Sequence, residues 1–579
     1  MAISRRKFIA RTGAAGAAAA LPWWAHLEAG ARPADLTTLG RTIVRGAKLQ
    51  EGTVGAYFRL AEGPGERHMR RDDLGGNKRS KARAAVPLLS FVHMTDVHIV
   101  DAQSPARVEF LDRFADPGRG CESVPLSSAQ RPQEALTLHV LEAMVRAIRK
   151  IRRSPVTGRR FSFAVCTGDN IDNEQLNELR WFIDTLDGGG MVSSNSGGDA
   201  YQGVQAAEWA DPEYWHPTPE VADKYKQQYG FPDYPGLLET AMKPFRATGI
   251  GMPWLQTFGN HDGLMQGNAP RNPIFEAIAV GPAKIKALPP GLNPCDAFQT
   301  LRDNPAAFLA APVQQVAADP QRKVVTRAEY IEEMFKTTGT PVGHGFQKEN
   351  RSAGTAYWFR DAGKFRLIGL DTVNPGGYDE GSIGLAQFEW LEERLRESSR
   401  TYLDADGGEV QNEDGRDRYV ILFSHHGLRS LENPVMAPDP LEPGSNDLPR
   451  ILADEVEALL HRYPNVIAWV NGHTHNNIVE PRQSPHGGGF WDIGTAAHID
   501  WACQSRGIDV VDNRDGTMSI WCTMIDHAAP IRPGGKDEVL RVASISRELA
   551  ANDFQKGYDS SGRGEHKDRN VELLLPKPF

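Results

Sequence analysis

Residues 466–475 have the sequence VIAWVNGHTH, in which five apolar residues are followed by Asn, Gly and two histidines two positions apart. A short, near-continuous apolar run of this kind predicts a strand that is buried on both faces. The pattern of an apolar run followed by His, Asp or Asn recurs in 88–98, 161–172, 253–262 and 419–427. The sequence therefore predicts five strands with polar side chains at their carboxyl ends.

Helical patterns lie between these predicted strands. Apolar residues recur at helical spacing in 133–151, and 385–395 and 448–461 have a similar pattern. Alternating strands and helices predict an α/β layered fold. Ligands in such folds bind beyond the carboxyl ends of the strands, so we expect the five polar motifs to meet at one site.

The residue types in these motifs are those that bind transition metals. The candidate ligands are Asp96, His98, Asp169, Asn260, His425, His473 and His475. Residues two apart in a strand point the same way, so Asp96 and His98 can bind one ion if the strand continues through them, and the histidines of GHTH can do the same. Glycines directly before three of the ligands allow sharp turns and close approach. Imidazole nitrogen with carboxylate and amide oxygen suits Zn, Mn or Fe, and so many ligands favour two ions that share a carboxylate.

The motifs, in this order, resemble those of the calcineurin-like metallophosphoesterase superfamily, which includes the purple acid phosphatases. They are the DxH motif at 96–98, GDxxD at 168–172, GNHD at 259–262, a histidine pair at 425–426 and GHxH at 472–475. The resemblance covers roughly residues 86–525 and implies two packed mixed β-sheets flanked by helices. Residues 489–525 then fit strands of the second sheet, with a hairpin turn at 513–517.

The resemblance also implies a dinuclear site holding two divalent or trivalent transition-metal ions, Mn, Fe or Zn. The ligand sets carried over from the family are Asp96, His98, Asp169 and His475 for one ion, and Asp169, Asn260, His425 and His473 for the other. Asp169 then bridges the two ions. His425 is preferred to His426 because the first histidine of the pair aligns with the family ligand.

The implied chemistry is hydrolysis of a phosphate ester by a hydroxide that bridges the two ions. His261 is the candidate general acid, or a cation that stabilises the leaving oxygen, and Asp172 is expected to orient it. An alternative for Asp172 is that it caps a helix beginning near residues 173–174, and the two roles can coexist.

The predicted function is therefore that of a metal-dependent hydrolase acting on a small phosphomonoester or phosphodiester. Protein Ser/Thr phosphatases follow GDxxD with Arg, whereas this chain has Asn173, which argues against a phosphoprotein substrate. The alternative from another class is a non-catalytic surface protein that binds metal or phosphate and retains the fold. Loss of a ligand or of His261 would favour that alternative, and the sequence retains all of them.

Composition excludes several other classes of protein. The 579 residues are 40% hydrophobic and 24% charged, which is typical of globular chains and not of disordered or coiled-coil ones. A formal net charge of -9 gives no basic footprint for nucleic acid. The five scattered cysteines do not suggest a disulfide framework. The chain also has no uninterrupted apolar run long enough for an internal membrane span.

The N-terminus resembles a twin-arginine export signal. Arg5-Arg6 is followed by Phe8-Ile9 and an Ala/Gly-rich apolar stretch, which predicts a bacterial protein exported to the periplasm, cell surface or medium. The expected divisions of the chain are a signal at 1–31, an N-terminal extension at 32–85, the metallophosphoesterase domain at 86–530 with insertions at about 186–250 and 263–352, and a C-terminal region at 531–579.

Two further regions allow expectations. The first insertion holds eight aromatic residues within 201–234. They either form a cap that stacks on the substrate or fill a small core of the insertion, and we favour the core. The C-terminal region is expected to contain one helix at about 537–551, followed by a polar, poorly packed tail.

Overall fold

The computed structural model describes residues 33–75, 85–116, 119–121 and 128–579. The expected export signal at 1–31 lies outside the described residues, so it stays a prediction. Within the described part of the chain, none of the helices combines the length and the apolar character needed to cross a membrane.

Strands and helices alternate along the described chain. The strands are β1 (Arg41–Glu51), β2 (Ala56–Pro64), β3 (Met69–Arg71), β4 (Val86–Met94), β5 (Ala164–Thr167), β6 (Met191–Val192), β7 (Phe245–Arg246), β8 (Trp254–Thr257), β9 (Ala283–Ile285), β10 (Val313–Gln315), β11 (Trp358–Ala362), β12 (Phe365–Gly369), β13 (Ile383–Gly384), β14 (Thr401–Leu403), β15 (Glu409–Gln411), β16 (Tyr419–Phe423), β17 (Arg450–Ile451), β18 (Val466–Asn471), β19 (Ile478–Gln483), β20 (Gly489–Gly494), β21 (Gln504–Asp512), β22 (Thr517–Asp526) and β23 (Val571–Pro576). The α-helices are α1 (Glu109–Ala115), α2 (Thr137–Ile151), α3 (Leu176–Asp187), α4 (Lys224–Tyr229), α5 (Leu237–Met242), α6 (Asn260–Gly263), α7 (Pro273–Val280), α8 (Ala297–Asp303), α9 (Arg327–Phe335), α10 (Lys348–Ala353), α11 (Leu385–Glu397), α12 (Ala453–His461) and α13 (Glu538–Asn552).

Two large mixed sheets form the centre of the molecule. Sheet A has the spatial order β3-β23-β22-β21-β4-β5-β8, and sheet B has the order β11-β12-β16-β18-β20-β19. Strands β4, β5 and β8 of sheet A run parallel, as do β12, β16, β18 and β20 of sheet B. The expectation of an α/β chain with mixed sheets and helices is confirmed.

Alternate residues of the central strands face different layers. In β16, Ile421 and Phe423 belong to the core between the sheets, whereas Val420 and Leu422 pack with helices α11 and α12. The ring of Phe423 lies 5.7 Å from that of Phe91 in sheet A. Because both faces of the strand are buried, its sequence is apolar throughout, as expected for parallel strands.

Helices cover the outer faces of the two sheets. Leu391 of α11 and Val456 of α12 pack on sheet B. Leu141 and Met144 of α2 belong to the same core cluster as the strands of sheet A. Helix α13 packs in turn on α2 through contacts such as that of Ala543. The layers are therefore helix, sheet, sheet and helix.

The strands and helices predicted from sequence are present with small shifts in their ends. The five motif-bearing strands are β4, β5, β8, β16 and β18. The helix predicted over 133–151 begins at Thr137, after a 3-10 turn over Glu134–Leu136. The one predicted over 448–461 begins at Ala453, because Arg450–Ile451 instead pairs as β17 with β13.

The assignment of residues 489–525 to one sheet is wrong. β20 pairs in parallel with β18 in sheet B, whereas β21 pairs with β4 in sheet A. The predicted hairpin between β21 and β22 is present. An apolar strand pattern predicts that a segment is a strand but not which strand it pairs with, since pairing depends on distant residues.

The prediction of a poorly packed C-terminal tail is also wrong. The predicted helix is present as α13, and β23 then inserts between β3 and β22 of sheet A. Val571, Leu573, Leu574 and Leu575 are buried in this strand. The apolar run VELLL at 571–575 is the sequence signal that identifies it.

One disulfide corrects the interpretation of the cysteines. Cys121 and Cys295 are bonded, with their Cα atoms 5.0 Å apart and a sequence separation of 174. Cys166, Cys503 and Cys522 are buried free thiols. The bond joins the segment after α1 to the second insertion, a pairing that could not be deduced from cysteines so far apart in sequence.

The aromatic residues of the first insertion pack into a core, as favoured, but this core is shared with the rest of the fold and is not the insertion's own. The buried members of this cluster from the insertion are Tyr201, Trp209, Tyr214, Trp215, Tyr225 and Phe231. Tyr57 of β2 and Ile545 of α13 complete it. These rings are therefore occupied by packing within the protein.

Candidate metal centre

The five polar motifs lie at neighbouring strand ends. In sheet A they follow β4, β5 and β8, and in sheet B they follow β16 and β18. Six of the seven candidate ligands are buried, and His473 has 12% of its side chain exposed. The two layers thus bring the predicted ligands to one edge of the sheets.

Asp96, His98 and His475 form the first group of ligand atoms. His475 Nε2 lies 3.2 Å from His98 Nε2 and 3.2 Å from Asp96 Oδ1. His98 Nδ1 donates to Asp172 Oδ1 at 2.9 Å. His475 Nδ1 donates to Asp500 Oδ2 at 2.6 Å. With a proton on each Nδ1, both Nε2 atoms and Asp96 converge on one point where a cation can bind.

The carboxylates around the first group favour a positive charge there. Burial alone would lower the pKa of His475, but the charges of Asp96 and Asp500 raise it above its ordinary value. Asp96 shows the complementary effect. Burial would raise its pKa, whereas His475 and His425 hold it well below its usual range. The first group therefore has an excess of negative charge that a bound cation would neutralise.

Asp96, Asp169 and His425 form a second group, and Gly259, the residue before Asn260, packs directly on Asp169. His425 Nε2 is 3.1 Å from Asp169 Oδ2, and its Nδ1 donates to Thr167 O at 2.9 Å. Asn260 Nδ2 donates to Gly267 O at 2.9 Å. His425 Nε2 and Asn260 Oδ1 are both buried without a hydrogen-bond partner. Buried polar atoms are normally paired, so each of these two atoms is available to bind a cation.

Two carboxylates lie between the groups. Asp169 Oδ2 is 3.1 Å from His425 Nε2 and 3.6 Å from His98 Nε2. Asp96 Oδ1 is 3.2 Å from His475 Nε2 and 4.0 Å from His425 Nε2. Clusters of Asp and His that could hold a metal ion thus share members.

His473 borders the second group. Its ring lies 5.2 Å from that of His425, and its main-chain N–H donates to both carboxylate oxygens of Asp96. Its Nε2 is 3.7 Å from Glu380 Oε2. His473 therefore lies between the ligand cluster and the loop that contains Glu380.

His425 and His426 differ in what their rings contact. His426 Nδ1 is 2.8 Å from Thr372 Oγ1, and its Nε2 donates to Asp379 O at 2.8 Å. His425 keeps Nε2 unpaired and directed toward Asp169. Both nitrogens of His426 are thus engaged in structural hydrogen bonds.

The backbone at the ligands is not the continued strand that the spacing suggests. β4 ends at Met94 and β18 ends at Asn471, before the ligands begin. Positive φ angles occur at Asp96 (50°), His98 (45°), Asp169 (48°), His473 (67°) and His475 (58°). Each non-glycine residue in this region costs about 1–3 kcal/mol, so surrounding contacts must hold it there. As a result, the two GHTH histidines lie in different clusters, His475 with Asp96 and His98, and His473 with His425 and His426.

The glycines before the ligands permit close approach, as predicted. A Cβ added at Gly168 would lie 2.7 Å from His425 Cβ. At Gly259 it would overlap Asp169, and at Gly472 it would overlap the side chains of Thr95 and Asp96. Any side chain at these positions would displace a candidate ligand.

Two arginines support the outer carboxylates. Arg107 pairs with Asp172, and Arg131 Nε donates to Asp500 Oδ1 at 2.8 Å. Burial would raise the pKa of Asp172, but Arg107 and the neighbouring imidazoles hold it well below its usual range. Both carboxylates therefore stay ionised and accept the Nδ1 protons of the histidines in front of them.

His261 lies beside the first group with 17% of its side chain exposed. Its ring is 4.5 Å from that of His98, and its Nδ1 donates to Asp172 O at 2.8 Å. Burial lowers the pKa of His261, but Asp169 and Asp172 raise it to about 9. The imidazole is therefore held as a proton donor by the carboxylates around it.

Asp172 contacts His98 more closely than His261. Its Oδ1 is 2.9 Å from His98 Nδ1 and 3.4 Å from His261 Nδ1, which bonds instead to the main-chain oxygen. The helix-cap alternative is wrong, because α3 begins at Leu176 and its N-cap is Gln175. Asp172 thus fixes both rings, one through its side chain and one through its backbone.

Comparisons with known proteins add little. No protein-family model matches the chain, and no curated protein matches it in sequence. Among solved structures, the chain is similar to a purple acid phosphatase from yellow lupin (Lupinus luteus) seeds, with a TM-score of 0.28 and 10% identity over 81% of this chain and 56% of that one. The chain thus spans little more than half of that neighbour. A likeness of this size supports no argument about function.

Several residues at the centre were not among the sequence predictions. Asp500 follows β20, the next strand of sheet B after β18, so the pattern of an apolar strand and a polar end could have identified it. Arg107 and Arg131 lie outside any motif, and Glu380 lies in a loop. No local signal marks these three, because their roles depend on partners far away in sequence.

A separate cavity of about 470 Å³ lies away from these ligands. Its lining includes Arg327, Tyr357, Asp371 and Arg450, and none of the candidate ligands is part of it.

Proposed function

We propose that this chain is a metal-dependent hydrolase of phosphate esters with a dinuclear centre. The observation that supports the proposal most directly is the shared cluster in which Asp169 and Asp96 lie between two groups of histidines. The unpaired buried atoms of His425 and Asn260 are explained if a cation binds there. Two adjacent cations bound by histidine, carboxylate and amide suit phosphoryl transfer to water.

The proposed ligand sets are Asp96, His98, Asp169 and His475 for one ion, and Asp169, Asn260, His425 and His473 for the other. When bound, two such ions supply a water of lowered pKa and a positive field for the phosphoryl oxygens. The chain's own contribution is to hold the ligands in place. Asp172 and Asp500 fix the two histidine rings of the first group so that their Nε2 atoms face inward.

His261 is proposed to protonate the leaving oxygen. Its Nδ1 donates to Asp172 O, which fixes the ring and leaves Nε2 to donate to the substrate. Asp172, which is not a ligand in the proposed centre, favours the protonated form of the imidazole. General acid help of this kind contributes roughly 10²–10⁴-fold to a rate.

Export through the twin-arginine pathway to an extracytoplasmic compartment is part of the proposal. The bond between Cys121 and Cys295 supports it, because structural disulfides persist in oxidising compartments and are rare in the cytosol. The residues of the proposed signal lie outside the described chain, so this support is independent of them.

The test compares three variants of the metal-loaded protein. Asp169→Asn is expected to lose metal and activity together, because it removes the carboxylate between the groups. His261→Ala is expected to keep both metals and lose at least 10²-fold in kcat, as removal of a general acid should. The exposed Asp414→Asn controls for loss of one surface charge. Elemental analysis and hydrolysis of aryl phosphate esters are the measurements.

Full turnover by Asp169→Asn would contradict the shared-carboxylate assignment. Loss of metal from His261→Ala would make that histidine a ligand instead of an acid. Two bound metals without hydrolysis of any phosphate ester would favour the alternative of a non-catalytic binding protein.

A further inference from the structure

We propose that Glu380 makes the site select monoanionic phosphodiesters over dianionic phosphomonoesters. The inference rests on the proposed function and names the substrate class of the same site. It starts from one contact at the rim of the metal centre. Glu380 Oε2 is 3.7 Å from His473 Nε2 and is buried without a hydrogen-bond partner, although 44% of the side chain as a whole is exposed.

The loop holds Glu380 in this position. The carbonyl of Asp379 accepts a hydrogen bond from His426, and that of Glu380 accepts one from Asn433 Nδ2 at 2.9 Å. Gly381 N donates to Ser430 O at 2.8 Å. A Cβ at Gly381 would lie 2.5 Å from the His426 ring, so the loop packs directly on this histidine. These backbone contacts therefore fix the position of the loop segment that carries the Glu380 carboxylate.

Glu380 lies beside the ligand cluster and not within it. The groups of described residues whose ligand atoms converge include His473 with His425 and His426, but not Glu380. One oxygen lies 3.7 Å from His473 Nε2, and 44% of the Glu380 side chain is exposed. A substrate that approaches the centre past His473 thus meets this carboxylate.

Two arginines near the centre are already paired with other carboxylates. Arg107 and Arg131 pair with Asp172 and Asp500 on the inner side of the histidines, and both guanidinium groups are buried. They neutralise those carboxylates and do not offset Glu380. Because Coulomb repulsion scales with charge, a dianionic phosphomonoester loses about twice as much binding energy here as a monoanionic diester.

The test compares the wild type with Glu380→Gln and with a matched control, the exposed Glu413→Gln. All three are loaded with Mn²⁺ and assayed at pH 8 with p-nitrophenyl phosphate, a dianion, and bis(p-nitrophenyl) phosphate, a monoanion. The wild type is expected to prefer the diester. Glu380→Gln should raise the monoester-to-diester ratio of kcat/KM about tenfold, the order expected for one extra like charge near a partly solvated carboxylate. Glu413→Gln should leave the ratio unchanged.

Binding gives a second readout that does not depend on turnover. Calorimetry with phenylphosphonate and diphenyl phosphate should show that Glu380→Gln tightens the dianion more than the monoanion. Metal content is measured on every variant.

An unchanged ratio in Glu380→Gln, or a wild type that prefers the monoester, would overturn the proposal. So would loss of metal from Glu380→Gln, since the residue would then be a ligand. If the wild type hydrolyses neither ester, the proposed function fails, while the calorimetry still decides whether Glu380 discriminates by charge.

Discussion

At the scale of single residues, the orientation of two candidate ligands depends on the hydrogen bonds that their outer nitrogens make. His98 and His475 each donate Nδ1–H to a carboxylate, and each carboxylate pairs with a buried arginine. These outer contacts fix which nitrogen carries the proton. Loss of such a partner typically costs 10–100-fold in metal affinity or activity. The ligand side chains alone therefore do not define the centre.

Gly267 provides a test of how tightly His261 is positioned. Its φ is 71°, and a Cβ there would overlap the His261 imidazole and the Asn260 amide. Gly267→Ala is expected to lower kcat at least tenfold, because the ring must move from its place beside the site. Gly291→Ala is the matched control, since Gly291 has a φ of 81° with no described atom within 4 Å of the added Cβ.

The two alanine variants share the cost of a left-handed backbone, roughly 1–2 kcal/mol. Steady-state kinetics and thermal unfolding of both separate that cost from the steric effect. Equal losses of activity in the two variants would mean that backbone strain, and not contact with His261, is responsible.

At the scale of elements, the candidate ligands lie beyond the ends of the strands and not within them. The ligands lie just past β4, β5 and β18, where the backbone turns into the left-handed region. The insertions share hydrophobic clusters with the rest of the fold. Phe110 of α1 and Phe275 of α7 share such a cluster with Phe308. The second insertion is thus packed against the main fold near the segment that the disulfide joins to it.

The disulfide is expected to stabilise this junction. Cys121→Ser with Cys295→Ser should lower the free energy of unfolding by about 2–5 kcal/mol, because the bond closes a loop of 174 residues in the unfolded chain. The wild type treated with a reductant should match the double variant in thermal unfolding. A reductant that also destabilises the double variant, or that leaves the wild type unchanged, would contradict this expectation.

At the scale of the whole molecule, several histidines are buried without charge. His139 of α2 is buried, its Nδ1 has no hydrogen-bond partner, and burial and Arg146 lower its pKa to about 3. Burial likewise lowers the pKa of His344 to about 4. Unfolding would let these side chains take up protons at an ordinary pKa near 6.5.

Stability is therefore expected to fall on the acid side. A histidine whose pKa is lowered on folding contributes its full stabilisation above pH 6.5 and loses it as the pH falls toward its folded value. Between pH 7 and pH 5, His139 should account for about 2 kcal/mol of the decline in unfolding free energy. Denaturant unfolding at the two pH values measures it.

His139→Gln should make that decline shallower by about the same amount. The exposed His566→Gln serves as the control and should keep the dependence of the wild type. If the unfolding free energies of the wild type and His139→Gln change with pH in parallel, His139 is not protonated differently in the folded and unfolded states.

Local pattern accounts for much of what could be predicted. The runs before Asp96, Asp169, Asn260, His425 and His473 are strands because both faces of each are apolar, and this is encoded within a few residues. The glycines that allow close approach are equally local signals. The seven candidate ligands and His261 could therefore be named from the sequence.

Partners distant in sequence decided the rest. Sequence alone did not assign β20 and β21 to different sheets. It also did not pair Cys121 with Cys295 or predict the ion pair of Arg107 with Asp172. Each of these contacts joins residues that no local pattern connects. The sequence by itself determined which side chains are available for chemistry. Only the tertiary structure decided which of them share a group and which charges face the substrate, since Coulomb and hydrogen-bond energies depend on distance in space and not along the chain.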